Sequence, residues 1–191
     1  MRRGSSTVRW TVFLDRDGVL NRKAPDGDYV KSWDEFAWLP GAREAIRLLN
    51  TAGALAVVVT NQRGVAKGLM RTDDVVNIHR RMQDELREVG ARLDGIYFCP
   101  HESGRCRCRK PEIGLFMQAR SELPEIDFSR SFVVGDSLAD MEAAHRIGAR
   151  CIWVGGRGRA ASLGRLVLVA RDLLDAVTSI ILPIVRESGS K

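Results

Sequence analysis

The sequence contains no apolar run long enough to cross a membrane. The longest, IILPIV at 180–185, is far shorter than the roughly 20 residues that a membrane-spanning helix needs. The N-terminal stretch MRRGSSTVRW lacks the apolar segment of a secretion signal, and internal repeats are absent. These absences favour a cytoplasmic protein without a membrane partner, and the length of 191 residues favours a single domain, 1–191.

Cysteine is also scarce, and its distribution is uneven. Three of the four cysteines lie between 99 and 108, whereas Cys151 stands alone in an apolar run and is predicted to be a buried thiol. In a reducing compartment, clustered cysteines indicate metal binding rather than disulfides. Free thiols or a redox pair are the alternatives, but the spacings are CxC and CxH rather than CxxC. We therefore predict a zinc-binding loop at 99–108, with a structural Zn²⁺ held by Cys99, His101, Cys106 and Cys108.

An excess of negative charge is missing too. The chain has 30 Lys and Arg against 24 Asp and Glu, a net charge of +6. This balance fits an acidic partner such as a phosphate ester or nucleic acid, and it also fits a solvated basic surface. Arg105, Arg107 and Arg109 could form a stripe for nucleic acid, but no aromatic residues alternate with them. A nucleic-acid partner is therefore not expected.

The chain does contain a regular alternation of β-branched apolar runs and helical patterns. Strands are predicted at 8–15, 54–60, 131–136, 151–156 and 166–170, with a short one in LDGIYFC. Helices are predicted at 40–53, 72–90, 114–123, 137–149 and 173–185. The alternation predicts an α/β fold, a Rossmann-like three-layer sandwich with a central parallel sheet. Ligands of such folds collect at the carboxyl ends of the strands.

Acidic residues follow two of these predicted strands. Asp15 and Asp17, in FLDRDG, lean to the same side of an extended chain, and carboxylates this close need a cation such as Mg²⁺ between them. Asp136, in VVGDSLAD, falls at another strand tip. A lone DxDG could be a turn with two solvated acids, and Asp136 alone could be a helix-entry residue. Together, the three residues predict one cation site.

Polar residues suited to phosphate follow the second predicted strand and the cysteine loop. The run Thr60, Asn61, Gln62 and Arg63 offers a hydroxyl, two amides and a guanidinium. The ammonium of Lys110 could offset negative charge in a phosphoryl-transfer transition state. Taken singly, these residues are better explained as a hydrogen-bonded turn and a solvated lysine. The prediction therefore depends on their combination with the acidic strand ends.

The motifs LDRDGVLN, TNQRGVAKG, CPH…CRCRKP and VGDSLAD resemble those of the haloacid dehalogenase superfamily. The cysteine loop running into RKP narrows the resemblance to the D-glycero-D-manno-heptose-1,7-bisphosphate 7-phosphatases and the related histidinol-phosphate phosphatases. The match covers roughly 8–156, and the absence of an obvious inserted cap domain fits the capless branch. Two departures stand out, since this chain has Arg63 and Ser137 where many members have a small hydroxyl residue and a lysine.

This resemblance implies a reaction and a set of catalytic roles. Asp15 would be the nucleophile that forms an aspartyl-phosphate, and Asp17 would serve as general acid and then as general base. Mg²⁺ would be held by the Asp15 carboxylate, the Asp17 backbone carbonyl and Asp136. Thr60 and Lys110 would stabilise the transferring phosphoryl group.

The resemblance also implies the substrate, a phosphorylated sugar, and the residues around it. The expected activity is hydrolysis of the C7 phosphate of the heptose bisphosphate by a monomeric enzyme. Histidinol-phosphate phosphatase is the alternative enzyme, and a zinc-stapled nucleic-acid-binding module is the alternative of another class. Arg109 would recognise the distal phosphate or the sugar. The other expected substrate contacts, besides Lys110, are Arg16, Asp26, Gly27, Asp28, Tyr29, Asn61, Gln62 and Arg63.

Overall fold

The computed structural model describes residues 8–155 and 167–188 of the chain. Six strands form one parallel sheet in the order β3-β2-β1-β4-β5-β6. They are β1 (Arg9–Leu14), β2 (Leu55–Asn61), β3 (Gly95–Cys99), β4 (Ile126–Gly135), β5 (Arg150–Val154) and β6 (Val167–Ala170). The predicted strand boundaries at Gly156 and Leu166 lie outside the described residues.

Helices cover both faces of this sheet. They are α1 (Ala42–Thr51), α2 (Thr72–Glu88), α3 (Gly114–Glu122), α4 (Leu138–Ile147), α5 (Leu173–Asp175) and α6 (Leu182–Ser188). A π-helical segment, Ala176–Ile181, joins the last two. Helices α1, α2 and the C-terminal segments share one core cluster, and α3 and α4 share the other. The predicted three-layer α/β sandwich is therefore confirmed.

The central strands are buried on both faces, which explains their continuous apolar runs. Val12 and Leu14 of β1 belong to one core cluster, and Phe13 between them belongs to the other. Leu14 pairs with Val58 of β2 and with Val134 of β4. The carboxyl ends of three neighbouring strands are thus aligned, and the residues that follow them share one edge of the sheet.

Two elements differ from the sequence prediction. Strand β4 begins at Ile126, earlier than predicted, because buried Ile126 and Phe128 extend its apolar side. Its pairing with β1 is irregular between Arg9 and Thr11, which hides this extension from a simple periodicity. The predicted C-terminal helix is divided by the π-helical segment, although its buried residues still pack against the core.

The long connection from β1 to α1 contains a 3-10 turn at Trp33–Glu35. Across 15–41, all of which the structure describes, no cap domain is inserted. Over 8–155 and 167–188, no helix has both the length and the apolar character that crossing a bilayer requires.

Candidate active site

The carboxyl edge of the sheet gathers residues from four separate stretches of the chain. They are Asp15 after β1, Thr60 in β2, Lys110 after β3 and Asp136 after β4. All four line one cavity of about 260 Å³, whose outer wall is the segment 23–30. The register of the three central strands therefore brings the sequence-predicted catalytic groups together.

Lys110 is a buried cation at the floor of this cavity. Its Nζ lies 3.0 Å from Asp15 Oδ1 and 2.6 Å from Asp140 Oδ1, and it donates to the carbonyl of Val59 at 2.6 Å. The ammonium therefore has three oxygen partners, which compensates for its loss of hydration. These contacts fix the Asp15 carboxylate relative to β2 and α4.

Asp140 is a site residue that the sequence prediction missed. It is fully buried, and its carboxylate also accepts hydrogen bonds from the Ser137 hydroxyl at 2.5 Å and backbone amide at 3.2 Å. Oxygens of Asp15, Asp136 and Asp140 all lie within 4.8 Å of one another. We call these three residues the carboxylate cluster. In the sequence, Asp140 is indistinguishable from an ordinary capping residue in the first turn of α4.

The crowding of this cluster changes its electrostatics. Burial raises the pKa of Asp15 to about 6, and the neighbouring charges of Asp140 and Asp17 add to the increase, while Lys110 opposes it. Burial alone would lower the pKa of Lys110, but the two carboxylates beside it raise the value above its usual range. Another cation nearby would therefore stabilise the ionised form of Asp15.

Asp136 provides the test of whether a divalent cation fits here. One of its oxygens, Oδ2, lies 2.5 Å from Lys23 Nζ, and the other, Oδ1, is buried and has no hydrogen-bond partner within 8–155 and 167–188. Burial raises the pKa of Asp136, and Lys23 opposes that increase. An orphaned carboxylate oxygen beside two further carboxylates is a donor set that suits Mg²⁺. The fit supports the predicted roles of Asp15 and Asp136 as ligands.

Asp17 lines the same cavity, but its carboxylate is not part of the carboxylate cluster and is held in a hydrogen-bond network. Nη2 of Arg16 lies 2.9 Å from each carboxylate oxygen, and the amides of Asn21 and Gln62 donate at 2.9 and 2.8 Å. Burial tends to raise the pKa of Asp17, but Arg16 and these hydrogen bonds hold it below its usual value. The side chain lies outside the cluster, which is compatible with the expected metal contact through its backbone carbonyl.

The residues predicted to contact the substrate divide into two groups. Asp26, Gly27, Asp28, Tyr29 and Asn61 line the cavity, as Lys110 does. The side chains of Arg16 and Gln62 are buried behind Asp17, so this arrangement favours a positioning role over a direct contact.

Two predicted arginines lie at the cysteine loop rather than in the cavity wall. Arg63 Nε is 2.5 Å from Glu102 Oε1, so Arg63 links the end of β2 to that loop. Arg109 is half-buried, and its buried Nη1 has no hydrogen-bond partner in the part of the chain that the structure describes. Their contacts with a substrate stay predictions.

The cysteine loop folds its four predicted metal ligands into one group, which we call the thiol cluster. Cys99 Sγ lies 3.5 Å from Cys106 Sγ and 3.3 Å from Cys108 Sγ, and His101 Nδ1 lies 3.2 Å from Cys108 Sγ. These separations exceed a disulfide bond and match neighbouring ligands around one tetrahedral ion. Burial, with hydrogen bonds that Cys108 shares as a thiol with the other two cysteines, raises the pKa of Cys108 to about 12. A cation would let all three thiols ionise together.

The end of β2 connects the thiol cluster to Lys110. The Asn61 side chain accepts from the Lys110 amide at 3.0 Å and donates to the Lys110 carbonyl at 3.1 Å. The backbone amide of Gln62 donates to the Cys99 carbonyl at 2.8 Å. The Asn61 amide group, predicted as a substrate contact, therefore also holds the backbone that presents the buried ammonium.

Comparison with known proteins agrees with this geometry. A family model described as HAD-hydrolase-like matches residues 107–176. A D-glycero-alpha-D-manno-heptose-1,7-bisphosphate 7-phosphatase of Mycobacterium tuberculosis is 49% identical over 142 residues, which cover 74% of each chain. A D-glycero-beta-D-manno-heptose-1,7-bisphosphate 7-phosphatase of Rhodopseudomonas palustris is 43% identical, covering 75% of this chain and 82% of the relative.

A solved structure gives the same result. The D,D-heptose 1,7-bisphosphate phosphatase of B. bronchiseptica, crystallised with magnesium and phosphate, superposes with a TM-score of 0.81 at 35% identity. The alignment covers 91% of this chain and 98% of that one. Identity and coverage at this level establish the family. The chain belongs to the heptose-1,7-bisphosphate 7-phosphatase family of the haloacid dehalogenase superfamily.

Proposed function

We propose that this protein is a Mg²⁺-dependent phosphatase that hydrolyses the C7 phosphate of D-glycero-D-manno-heptose 1,7-bisphosphate. The product is the 1-phosphate, an intermediate for nucleotide-activated heptose. One observation carries the proposal: the Asp15 carboxylate, held by buried Lys110, faces a cavity beside the orphaned oxygen of Asp136. Relatives that share most of the chain carry the name of this activity.

The reaction follows from the positions of Asp15 and Asp17. An Asp15 oxygen attacks phosphorus, so a bond from Asp15 to phosphorus forms and the bond from phosphorus to the C7 oxygen breaks. The leaving oxygen takes a proton from Asp17. Asp17 then removes a proton from water, which attacks the aspartyl-phosphate, releases inorganic phosphate and restores Asp15.

The network around Asp17 suits the second of these steps. Arg16, Asn21 and Gln62 favour the ionised carboxylate, which is the form that accepts a proton from water. The first step needs the protonated form, and the negative charge of an arriving phosphate favours proton uptake at Asp17. The same side chain therefore changes its protonation state with the occupancy of the cavity.

The remaining groups hold the phosphoryl oxygens and the cation. The Asp15 and Asp136 carboxylates and the Asp17 backbone carbonyl would hold Mg²⁺, which neutralises phosphoryl oxygens when bound. Lys110 keeps Asp15 aimed at the cavity and adds positive charge beneath it, and the Thr60 hydroxyl lies at the same edge.

We assign the thiol cluster a structural Zn²⁺ that orders the loop behind Lys110 and Arg109. All four ligands come from the chain, so no coordination position is left for a reacting water. Because thiolate ligation fits a reducing compartment, we place the enzyme in the cytoplasm. We also propose that it is a monomer. The organisation into one domain, 1–191, stays a prediction.

The experiment is an assay of phosphate release by the purified protein with Mg²⁺. The substrates are the α and β anomers of the heptose bisphosphate and histidinol phosphate. We expect turnover of a heptose bisphosphate to exceed that of histidinol phosphate, with the 1-phosphate as product. The opposite preference would assign the protein to histidinol phosphate instead.

The nucleophile is tested by Asp15→Asn, which keeps the size of the side chain. We expect it to lower kcat at least about a thousandfold, because an amide cannot form the aspartyl-phosphate. Asp73→Asn, an exposed acid in the first turn of α2, is the matched control and should retain full activity. Full activity of Asp15→Asn would exclude this mechanism.

A further inference from the structure

Two lysines contact the carboxylate cluster, and they differ in their freedom to move. The Lys110 side chain is 3% exposed and has three oxygen partners. The Lys23 side chain is 49% exposed and lies 2.5 Å from Asp136 Oδ2. Lys110 is therefore a fixed part of the site, whereas Lys23 can leave its partner at little cost in packing.

The turn after β1 sets the position of the Lys23–Asp136 pair. Gly18 has a φ of +91°, and a Cβ there would clash with Asp136 Oδ2 and with Lys23 Cε. The absence of a side chain at Gly18 thus gives the pair its space. The pair lies at the cavity, since Asp136 and Lys23 both line it.

A divalent cation and the Lys23 ammonium would compete for the same carboxylate. The cluster carries three negative charges, and Lys110 and Lys23 contribute two positive charges. A dication bound to Asp15 and Asp136 would lie beside the present position of Lys23 Nζ, and charges of the same sign repel at that separation. Because Lys110 is buried, Lys23 is the group that yields.

The displaced ammonium stays at the cavity. Lys23 begins the segment 23–30 that forms the outer wall, so its flexible side chain can turn toward an anion held there. The other lysine of this region, Lys31, is already paired with Asp28 at 2.7 Å and Glu35 at 3.6 Å. Lys23 is therefore the wall residue best placed to meet a phosphate oxygen after the cation binds.

We propose that Lys23 is an internal cation that neutralises Asp136 in the metal-free enzyme, yields it to Mg²⁺ and then contacts the phosphorylated ligand. The inference rests on the proposed Mg²⁺-dependent function. It gives Lys23 two effects of opposite sign: it weakens metal binding and strengthens binding of the phosphate group. A side chain that merely supports the fold would not separate the two affinities in this way.

The test uses Lys23→Met, which keeps the length of the side chain and removes the charge. Mn²⁺ binding to the zinc-containing protein, freed of other divalent ions, is followed by electron paramagnetic resonance. Inorganic phosphate binding is then measured by calorimetry with saturating Mg²⁺. We expect the Kd for Mn²⁺ to fall about fivefold and the Kd for phosphate to rise about fivefold, the upper range for a partly exposed ion pair.

The matched control is Lys31→Met, which removes one positive charge from the same connection without touching the carboxylate cluster. Both of its dissociation constants should stay within about twofold of wild type, because solvent screens more distant charges. An unchanged or weaker Mn²⁺ affinity in Lys23→Met overturns the inference, and so does an unchanged phosphate affinity. If the wild-type protein itself binds no Mn²⁺, the proposed metal site fails together with it.

Discussion

The carboxylate cluster and the thiol cluster both crowd groups that can carry negative charge, but different partners lie against those groups. Each brings metal-ligating side chains to within 4.8 Å of one another. In the carboxylate cluster, the ammonium groups of Lys110 and Lys23 lie against the acids at 2.5 to 3.0 Å. In the thiol cluster, the contacts are those of the thiols with one another and with His101.

This difference in partners distinguishes a candidate reaction site from a candidate structural metal site. In the carboxylate cluster, lysine side chains provide the positive charge that holds Asp15. The cavity in front of Asp15 can then accept a cation and a phosphate. A closed set of four protein ligands has no position for a reactant, and the zinc ion that we propose there would contribute folding energy instead. We therefore expect that removing a lysine of the carboxylate cluster and removing a ligand of the thiol cluster will have different effects on stability and on metal content.

The largest effect on stability should come from the thiol cluster. We predict about one tightly bound zinc per chain, and Cys106→Ser should lose it together with several kcal/mol of unfolding free energy. The reason is that structural zinc sites contribute on the order of 10 kcal/mol of binding energy, of which a serine ligand recovers little. Metal analysis and thermal unfolding measure both quantities.

Cys151→Ser is the control for this prediction, because it removes a buried thiol outside the thiol cluster. It should keep the zinc, whatever its own effect on packing. A zinc-free protein as stable as the zinc-bound one would contradict the structural role.

The next largest effect should come from Lys110→Met in the carboxylate cluster. Removing the ammonium leaves Asp15 and Asp140 as neighbouring buried carboxylates without their shared cation. Loss of one partner of a buried ion pair typically costs about 3–5 kcal/mol. We expect a loss of this size in urea unfolding, with partial recovery on addition of Mg²⁺.

Lys31→Met again provides the comparison, and its unfolding midpoint should stay near that of wild type because its partners are exposed. The zinc content of Lys110→Met should be unchanged. If Lys110→Met loses zinc as readily as Cys106→Ser, the two clusters form one structural unit and the contrast between them is wrong.

The sequence predicted the strand ends better than it predicted the contacts between them. Asp15, Thr60 and Asp136 can be placed at strand ends from the sequence because buried parallel strands have continuous apolar runs that end at polar residues. The predicted ligands of the thiol cluster can be grouped from the sequence because their spacing is local. Both signals lie within a few residues of the chain, and the fold then brings them together.

Contacts that join distant stretches could not be predicted in this way. Asp140 has the pattern of a helix cap, and its contact with Lys110 depends on how α4 packs against the sheet. Lys23 lies in a polar connection, and its contact with Asp136 depends on the turn at Gly18. The resemblance implies a substrate contact for Arg16, but the burial of its side chain depends on tertiary packing, which the sequence does not show.

The smallest predicted effect on stability concerns His79, a buried histidine of α2 near Arg16 and Asp17. Its ring packs edge-on against Phe98 at 5.5 Å, and its buried Nε2 has no hydrogen-bond partner among the described residues. Burial lowers the pKa of His79 to about 3, against a usual value near 6.5; the nearby charge of Arg16 adds to the decrease, and Asp17 opposes it. Burial is therefore the main reason that this histidine stays neutral.

The sign of the pH effect follows from this shift. Above pH 6.5, the histidine is neutral in both states, so its contribution is complete. As the pH falls below 6.5, the unfolded chain takes up a proton that the folded protein does not, and stability decreases until about pH 3.

The test is His79→Leu, which has no proton to take up. Between pH 6.5 and 5, this variant should lose about 1–2 kcal/mol less stability than the wild type. Urea unfolding at several pH values measures the difference in slope, and His145→Leu, at an exposed position of α4, should leave the slope unchanged. Equal slopes for wild type and His79→Leu would contradict the lowered pKa of the buried histidine.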